Sequence, residues 1–210
     1  MTNELEIEPS DTILMLPSGI SSSSVVALCR EAALEFINDS KHWGKAELGM
    51  WLQASYAPIT KLALKEEGDG TVWPVPLLRA IDARLIARIM QSARAEVFDA
   101  LQRIATDGSA SFVLRALISG TVIRCEDGAS EPAWTPTPNA SRLAERVLSL
   151  FAVDYLAHPA EYETELAVCL TCEVAQFDAA ARHCPRCSPS THSIVSTRRR
   201  PTLPYPPLGA

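Results

Sequence analysis

Apolar residues recur at helical spacing along much of the chain up to residue 157. Ser22, Ser23 and Ser24 offer capping oxygens, and Val25, Leu28, Cys29, Ala32 and Phe36 then share one face of a 3.6-residue turn, which predicts a helix. Residues 46–64, with Leu48, Trp51, Leu52, Ile59 and Leu62, predict a second helical stretch that Pro58 must break or kink. The strongest stripe runs through 76–104, where Leu78, Ile81, Leu85, Ile89, Val97, Leu101 and Ile104 predict one long helix or two joined end to end. Pro74 and Pro76 suit its first turn, and Asp107-Gly108 stops it.

Residues 112–118 form a shorter apolar helical run. Two short β-type segments, 121–125 and 133–135, flank Glu126-Asp127-Gly128 and predict a hairpin. A last helix is predicted over 141–157, burying Leu143, Val147, Leu150 and Phe151, with His158-Pro159 as its stop. Residues 161–168 read as a short link. The helix at 112–118 and the hairpin after it read as the end of a winged helix, with 98–105 as the preceding helix and 126–132 as the wing. Between Asp107 and Glu131, however, only Arg115 and Arg124 are basic, against Asp107, Glu126, Asp127 and Glu131. Duplex binding depends on phosphate neutralisation, so this shape suits protein contact better than DNA reading.

The two ends have a different character. Residues 1–20 read as a mobile acidic leader whose one short apolar run, 13–16, can make a single extended contact. Residues 196–210 form a basic, proline-rich tail: Arg198, Arg199 and Arg200 precede Pro201, Pro204, Pro206 and Pro207. The formal charge of −6 is unevenly spread, because the five arginines after Asp178 have no Asp, Glu or Lys among them, leaving −11 on residues 1–178.

The most specific chemistry lies between helix and tail. Cys169-Leu-Thr-Cys172 and Cys184-Pro-Arg-Cys187 are two C-x2-C pairs separated by eleven residues. A turn of that spacing aims both its thiolates at one ion, and two such turns complete the tetrahedral sulfur shell that Zn²⁺ accepts. Iron and a redox dithiol are the alternatives, and His183 or His192 could replace one sulfur. At these residues, 165–195, the chain resembles zinc-ribbon and zinc-knuckle modules. The resemblance implies a small metal-nucleated β unit with a structural ion, of the kind used to hold a protein or nucleic-acid partner. Such knuckles usually place Gly after the second cysteine of each pair; here Glu173 and Ser188 stand there. The segment 177–182 also favours a helical turn over a strand. Arg182, Arg186, Arg198, Arg199 and Arg200 are candidate contacts to phosphate or to an acidic partner, and Arg182 and Arg186 could offset the charge of a tetrathiolate site.

Elsewhere the signals are weak. Cys29 and Cys125 read as small buried hydrophobes. His42 and His158 have no Ser, Cys or carboxylate partner at motif spacing, and the chain lacks a Gly-rich phosphate loop, an H-E-x-x-H helix and a G-x-S-x-G elbow. No basic leader and no membrane-length apolar run occurs, so a cytoplasmic protein with no membrane partner is expected. The expected architecture is a mainly α-helical domain over 21–160 with a small β-hairpin near 121–135, followed by a four-cysteine zinc module over 165–195. The expected function is a non-enzymatic zinc-binding adaptor or regulatory protein acting through protein contacts. A transcription-related nucleic-acid-binding protein is the alternative, and an enzyme with its site in the helical domain is the second.

Overall fold

The computed structural model describes residues 14–15, 22–64, 78, 80–126, 133–138, 140–178, 184, 186–187 and 194–196. It is mainly helical, with two small sheets. Helix α1 spans Ser22–Asp39 and ends in a 3-10 turn, Ser40–His42. α2 covers Lys45–Trp51 and α3 covers Ala57–Leu64. The break expected at Pro58 does not occur: helical backbone runs on from α2 through a π segment, Leu52–Tyr56, into α3, and the wider π turn stands next to the proline, whose ring lacks an N–H to donate.

α4 is a single helix of 25 residues, Ala83–Asp107. The Asp82 carboxylate caps it by accepting from the Arg84 and Leu85 amides at 2.7 and 3.3 Å, and Gly108, at φ 78°, closes it in the left-handed conformation that suits glycine. Its buried stripe is Ile86, Met90, Ala93, Arg94, Val97, Leu101 and Ile104. The expected Leu85 lies one position outside that stripe and is 43% exposed. α1 shows a similar drift: Val26, Ala33 and Ile37 are buried, whereas Leu28 faces outward.

α5, Ser111–Ile118, leads into β2, Val122–Glu126, which pairs antiparallel with β3, Ala133–Pro136. Gly120 makes the exit from α5 possible at φ 65°. A two-residue strand β1, Leu14–Met15, adds to β2 in parallel, Leu14 opposite Cys125 and Met15 opposite Glu126. Of the expected wing, 126–132, Glu126 is the last residue of β2 and 127–132 lie outside the described residues. No described helix is long and apolar enough to cross a membrane.

α6, Leu143–Ala157, is the centre of the molecule and packs on α1, α4, α5 and β3. Its apolar face alone would make it amphipathic, yet Arg146, Ser149 and Asp154 are buried as well. Each is matched within the core. Arg146 lies over the Tyr56 ring at 5.3 Å, Ser149 Oγ donates to the Arg146 carbonyl, and Asp154 is surrounded by donors discussed below. Beside α6, Phe36, Trp43, Trp51 and Tyr56 form a continuous aromatic cluster, and the Trp51 indole donates to the Ala32 carbonyl. Burial pushes the Tyr56 phenol up to about 12, so it stays a neutral donor to the Thr137 carbonyl.

Glu145 caps the start of α6 from its third position, accepting from the Ser141 and Arg142 amides. Burial acts to raise this carboxyl and is outweighed by those hydrogen bonds, which hold it below its ordinary value. A folded value below the unfolded one means stability that is complete above the ordinary carboxylate range and lost as pH falls through the lowered value. Glu145→Ala should therefore cost about 1 kcal/mol in urea denaturation at neutral pH, with the difference from the parent shrinking in acid.

The chain then turns at His158 into α7, Pro159–Thr164, with Pro159 at its first position. The second sheet follows: β4, Leu166–Cys169, lies between β5, Val174–Phe177, and β6, Ile194–Ser196, both antiparallel to it. All four residues of β4 are buried, because both faces of the strand are covered. Leu166 and Val168 point into the helical core, whereas Ala167 and Cys169 join Val174, Cys184 and Ile194 in a second, smaller apolar cluster.

Candidate metal centre

The period-two alternation of β4 delivers Cys169 to the small cluster, and a tight turn returns the chain from Cys169 to Val174. In that turn the Glu173 amide donates to the Cys169 carbonyl at 2.8 Å and the Cys172 amide approaches Cys169 Sγ at 3.4 Å. The second cysteine pair repeats the pattern: the Cys187 amide donates to the Cys184 carbonyl and the Arg186 amide approaches Cys184 Sγ at 3.4 Å. Both turns thus point amide dipoles at sulfur, which favours thiolate over thiol.

The four sulfurs of Cys169, Cys172, Cys184 and Cys187 lie within 4.8 Å of one another. Cys172 and Cys187 approach to 3.0 Å, and Cys169 and Cys187 to 3.5 Å. An ion bound tetrahedrally by four thiolates at about 2.3 Å sets sulfur separations of roughly 3.8 Å, so the cluster brackets the required size. A disulfide would bring two of them to about 2.05 Å, and these cysteines are free. Contact with the neighbouring sulfurs, Cys187 first, pushes the Cys172 thiol up to about 12, and burial raises Cys184. Four crowded thiols resist ionisation together unless a cation joins them, and a bound divalent ion reverses that balance.

Glu173 occupies the place where a knuckle usually has glycine, and it does adopt a left-handed backbone, at φ 55°. Arg94 holds it there. Its guanidinium, 6% exposed as a residue, donates through Nη2 to the Glu173 carbonyl and through Nη1 to the Ile37 carbonyl, both at 2.8 Å.

The end of α1 ties down the edge strand β5. The Asn38 amide donates to the Ala175 carbonyl at 3.0 Å and accepts from the Ala175 amide at 2.9 Å, as a neighbouring strand would. Arg186, expected as a free phosphate contact or charge partner for the metal, donates to the Asn38 carbonyl at 2.6 Å and to Asp39 Oδ1 at 2.7 Å. It thereby ties the second cysteine turn to α1. Asn38→Ala should cost about 2 kcal/mol, because both polar groups of Ala175 lose their partner; chemical denaturation of the variant measures it.

The remaining candidates fall elsewhere. Arg182, His183, His192, Arg198, Arg199 and Arg200 lie outside the described residues. Cys29 is buried in the main core, its thiol pushed up by burial and then by Asp154. Cys125 lies in β2, and His42 is exposed on the 3-10 turn. His158 does have a carboxylate beside it. Its Nδ1 lies 3.1 Å from Asp154 Oδ1 and 3.3 Å from Arg30 Nη2, so the ring donates to one or accepts from the other according to its tautomer. Asp154, wholly buried, also accepts from Arg30 Nε through both oxygens and from the Tyr162 hydroxyl at 2.7 Å. Arg30 reaches on to Glu161 and lies 4.6 Å over the Phe177 ring of β5. Burial works against its charge, and the Asp154 and Glu161 carboxylates more than reverse that, raising the guanidinium above its ordinary value. This network joins α1, α6, α7 and the cysteine-bearing sheet, and only the Asp154–His158 spacing could have been noticed in the sequence.

Comparison with protein-family models, with curated proteins and with solved structures finds no match.

Proposed function

We propose that the four cysteines hold one structural Zn²⁺, and that the chain works without catalysis, as an adaptor or regulatory protein presenting a metal-fixed turn to a protein partner. Four thiolates close a tetrahedral shell, leaving no position for a water or substrate, which fits a scaffolding ion. The observation that carries the reading is an exposed apolar side chain on an anchored cysteine turn. Both turns are fastened to the helices, the second to α1 by Arg186 and the first to α4 by Arg94, and the first displays Leu170, 45% exposed. An apolar side chain held outward on a rigid turn suits burial by another protein.

Elemental analysis of the purified chain should find about one zinc per molecule. Leu170→Glu should keep that zinc and the parent melting temperature while abolishing retention of partners in affinity isolation. Cys172→Ser should lose both metal and partners. Iron in place of zinc, or partners indifferent to both substitutions, would refute the corresponding half of the proposal.

A further inference from the structure

A second site lies on the other side of the first cysteine turn. Between the 3-10 turn after α1, the outer part of α4 and Glu173 there is a cleft of about 370 Å³. That volume falls in the range of small-ligand sites, roughly 300–1,000 Å³. Trp43, half-buried, and Met90 contribute an apolar wall.

The polar groups of the cleft are unusual. Ser40 lines it at 3% exposure, and its hydroxyl has no hydrogen-bond partner among the described residues. A buried hydroxyl left unpaired is destabilising in the free protein; the Ser40 oxygen has less than 1 Å² of accessible area, so an acceptor in the cleft reaches it once the side chain turns outward. Beside it stand the Lys41 ammonium, which makes no ion pair among the described residues, and the Gln91 amide. Arg94 adds a second cation, already donating to the Ile37 and Glu173 carbonyls. Against these stands the carboxylate of Glu173, the only one among the described lining residues, half-exposed and 3.4 Å from Arg94 Nη2. With Arg94 and Glu173 balancing each other, Lys41 leaves one net positive charge among the described lining residues. That balance suits a monoanion better than a doubly charged phosphate, and the Trp43 and Met90 wall asks for an apolar group next to the charge.

We propose that this cleft binds a carboxylate carried beside an apolar side chain, in the manner of an N-acylated amino acid. The same chemistry is offered by a free small molecule and by the C-terminus of a peptide. In either case the carboxylate lies against Ser40 and Lys41, and the apolar group against Trp43 and Met90. The proposal concerns a site separate from the cysteines and does not depend on which ion they hold.

The test uses the intact chain with N-acetyl-L-leucine, N-acetyl-L-leucinamide, and a short acetylated peptide ending in leucine with a free carboxylate. Binding is read by calorimetry and by the indole N–H resonance of Trp43, assigned from its absence in Trp43→Phe. The free acid, the peptide, or both should shift that resonance with an affinity of about 1 mM or tighter, and the amide should bind about tenfold more weakly. Binding of the peptide alone assigns the site to a chain terminus, and binding of both shows that the free acid suffices. Ser40→Ala and the exposed-site variant Lys41→Met should each weaken binding several-fold. Ser40→Ala should melt at or above the parent temperature, since its hydroxyl has no partner to lose. Absence of binding by both carboxylates, equal binding of acid and amide, or binding unchanged in either variant overturns the proposal.

Discussion

Cys169→Ser is expected to abolish zinc binding and to lower the stability of the whole chain, not only of its cysteine-bearing end. Cys169 is 2% exposed and ends a strand whose opposite face, Leu166 and Val168, lies in the helical core. With the ion gone, the small cluster of Ala167, Val174, Cys184 and Ile194 has too little apolar area to hold its shape. The loosened strand then withdraws cover from the core, and Phe177 withdraws from Tyr162, whose ring it meets edge-on at 4.7 Å. Isolated structural zinc sites contribute about 10–16 kcal/mol to the folding of small modules. Part of that remains compensated here by β4 packing, so a loss of roughly 5 kcal/mol is expected, comparable to the total margin of many domains. Thermal unfolding with and without a strong chelator, followed in the near ultraviolet, measures the same quantity in the unmutated chain. Affinity for zinc should also fall as pH is lowered, because each sulfur must shed its proton to bind. A melting curve insensitive to chelator, together with a metal-free purified protein, would remove the zinc reading.

Asp154→Ala should be the most damaging substitution away from the cysteines, at about 3 kcal/mol. The carboxylate is completely buried, and its removal leaves the Arg30 guanidinium, 24% exposed, and the Tyr162 hydroxyl without their main acceptor. Glu161 remains on Arg30, which keeps the loss below that of a fully abandoned buried charge. Tyr162→Phe should cost only about 1 kcal/mol, since it removes one hydrogen bond and keeps the ring against Phe177 and Tyr155. The decisive measurement is a double-mutant cycle: Arg30→Met should partly rescue Asp154→Ala, because the stranded charge is gone. Additive losses would mean that the pair is not energetically coupled.

What could be read in advance was local. The two cysteine pairs announce themselves because ligand spacing within a turn is a sequence-local property, and the structure brings all four sulfurs together. The long α4 and the enclosed α6 were also legible, since their stripes run for several turns. Other features depend on residues far apart in the chain. Asn38 meets Ala175 and Arg94 meets Glu173 only after folding, and neither pair has a spacing that periodicity could reveal. Arg146 and Asp154 would mark a solvent face in isolation; partners from α1, α7 and the aromatic cluster make them interior residues. Most of β4 falls in the stretch 161–168 that reads as a link, because four consecutive apolar residues lack the polar alternation of a half-exposed strand. β6 is only three residues long, too short to carry a pattern.

The doubly covered strand bears on how this polypeptide can be taken apart. A fragment cut to begin at residue 165 would carry Leu166, Val168 and Ala175 as a bare greasy flank, and would tend to clump even when fully metallated. A fragment ending near residue 160 would instead open a trough along α1 and α4, where those same side chains sit, and beside α6, where Tyr162 sits. The cysteine-bearing end is thus a keystone rather than a detachable cassette, and grafting it onto another scaffold requires bringing a matching piece of α1 along with it.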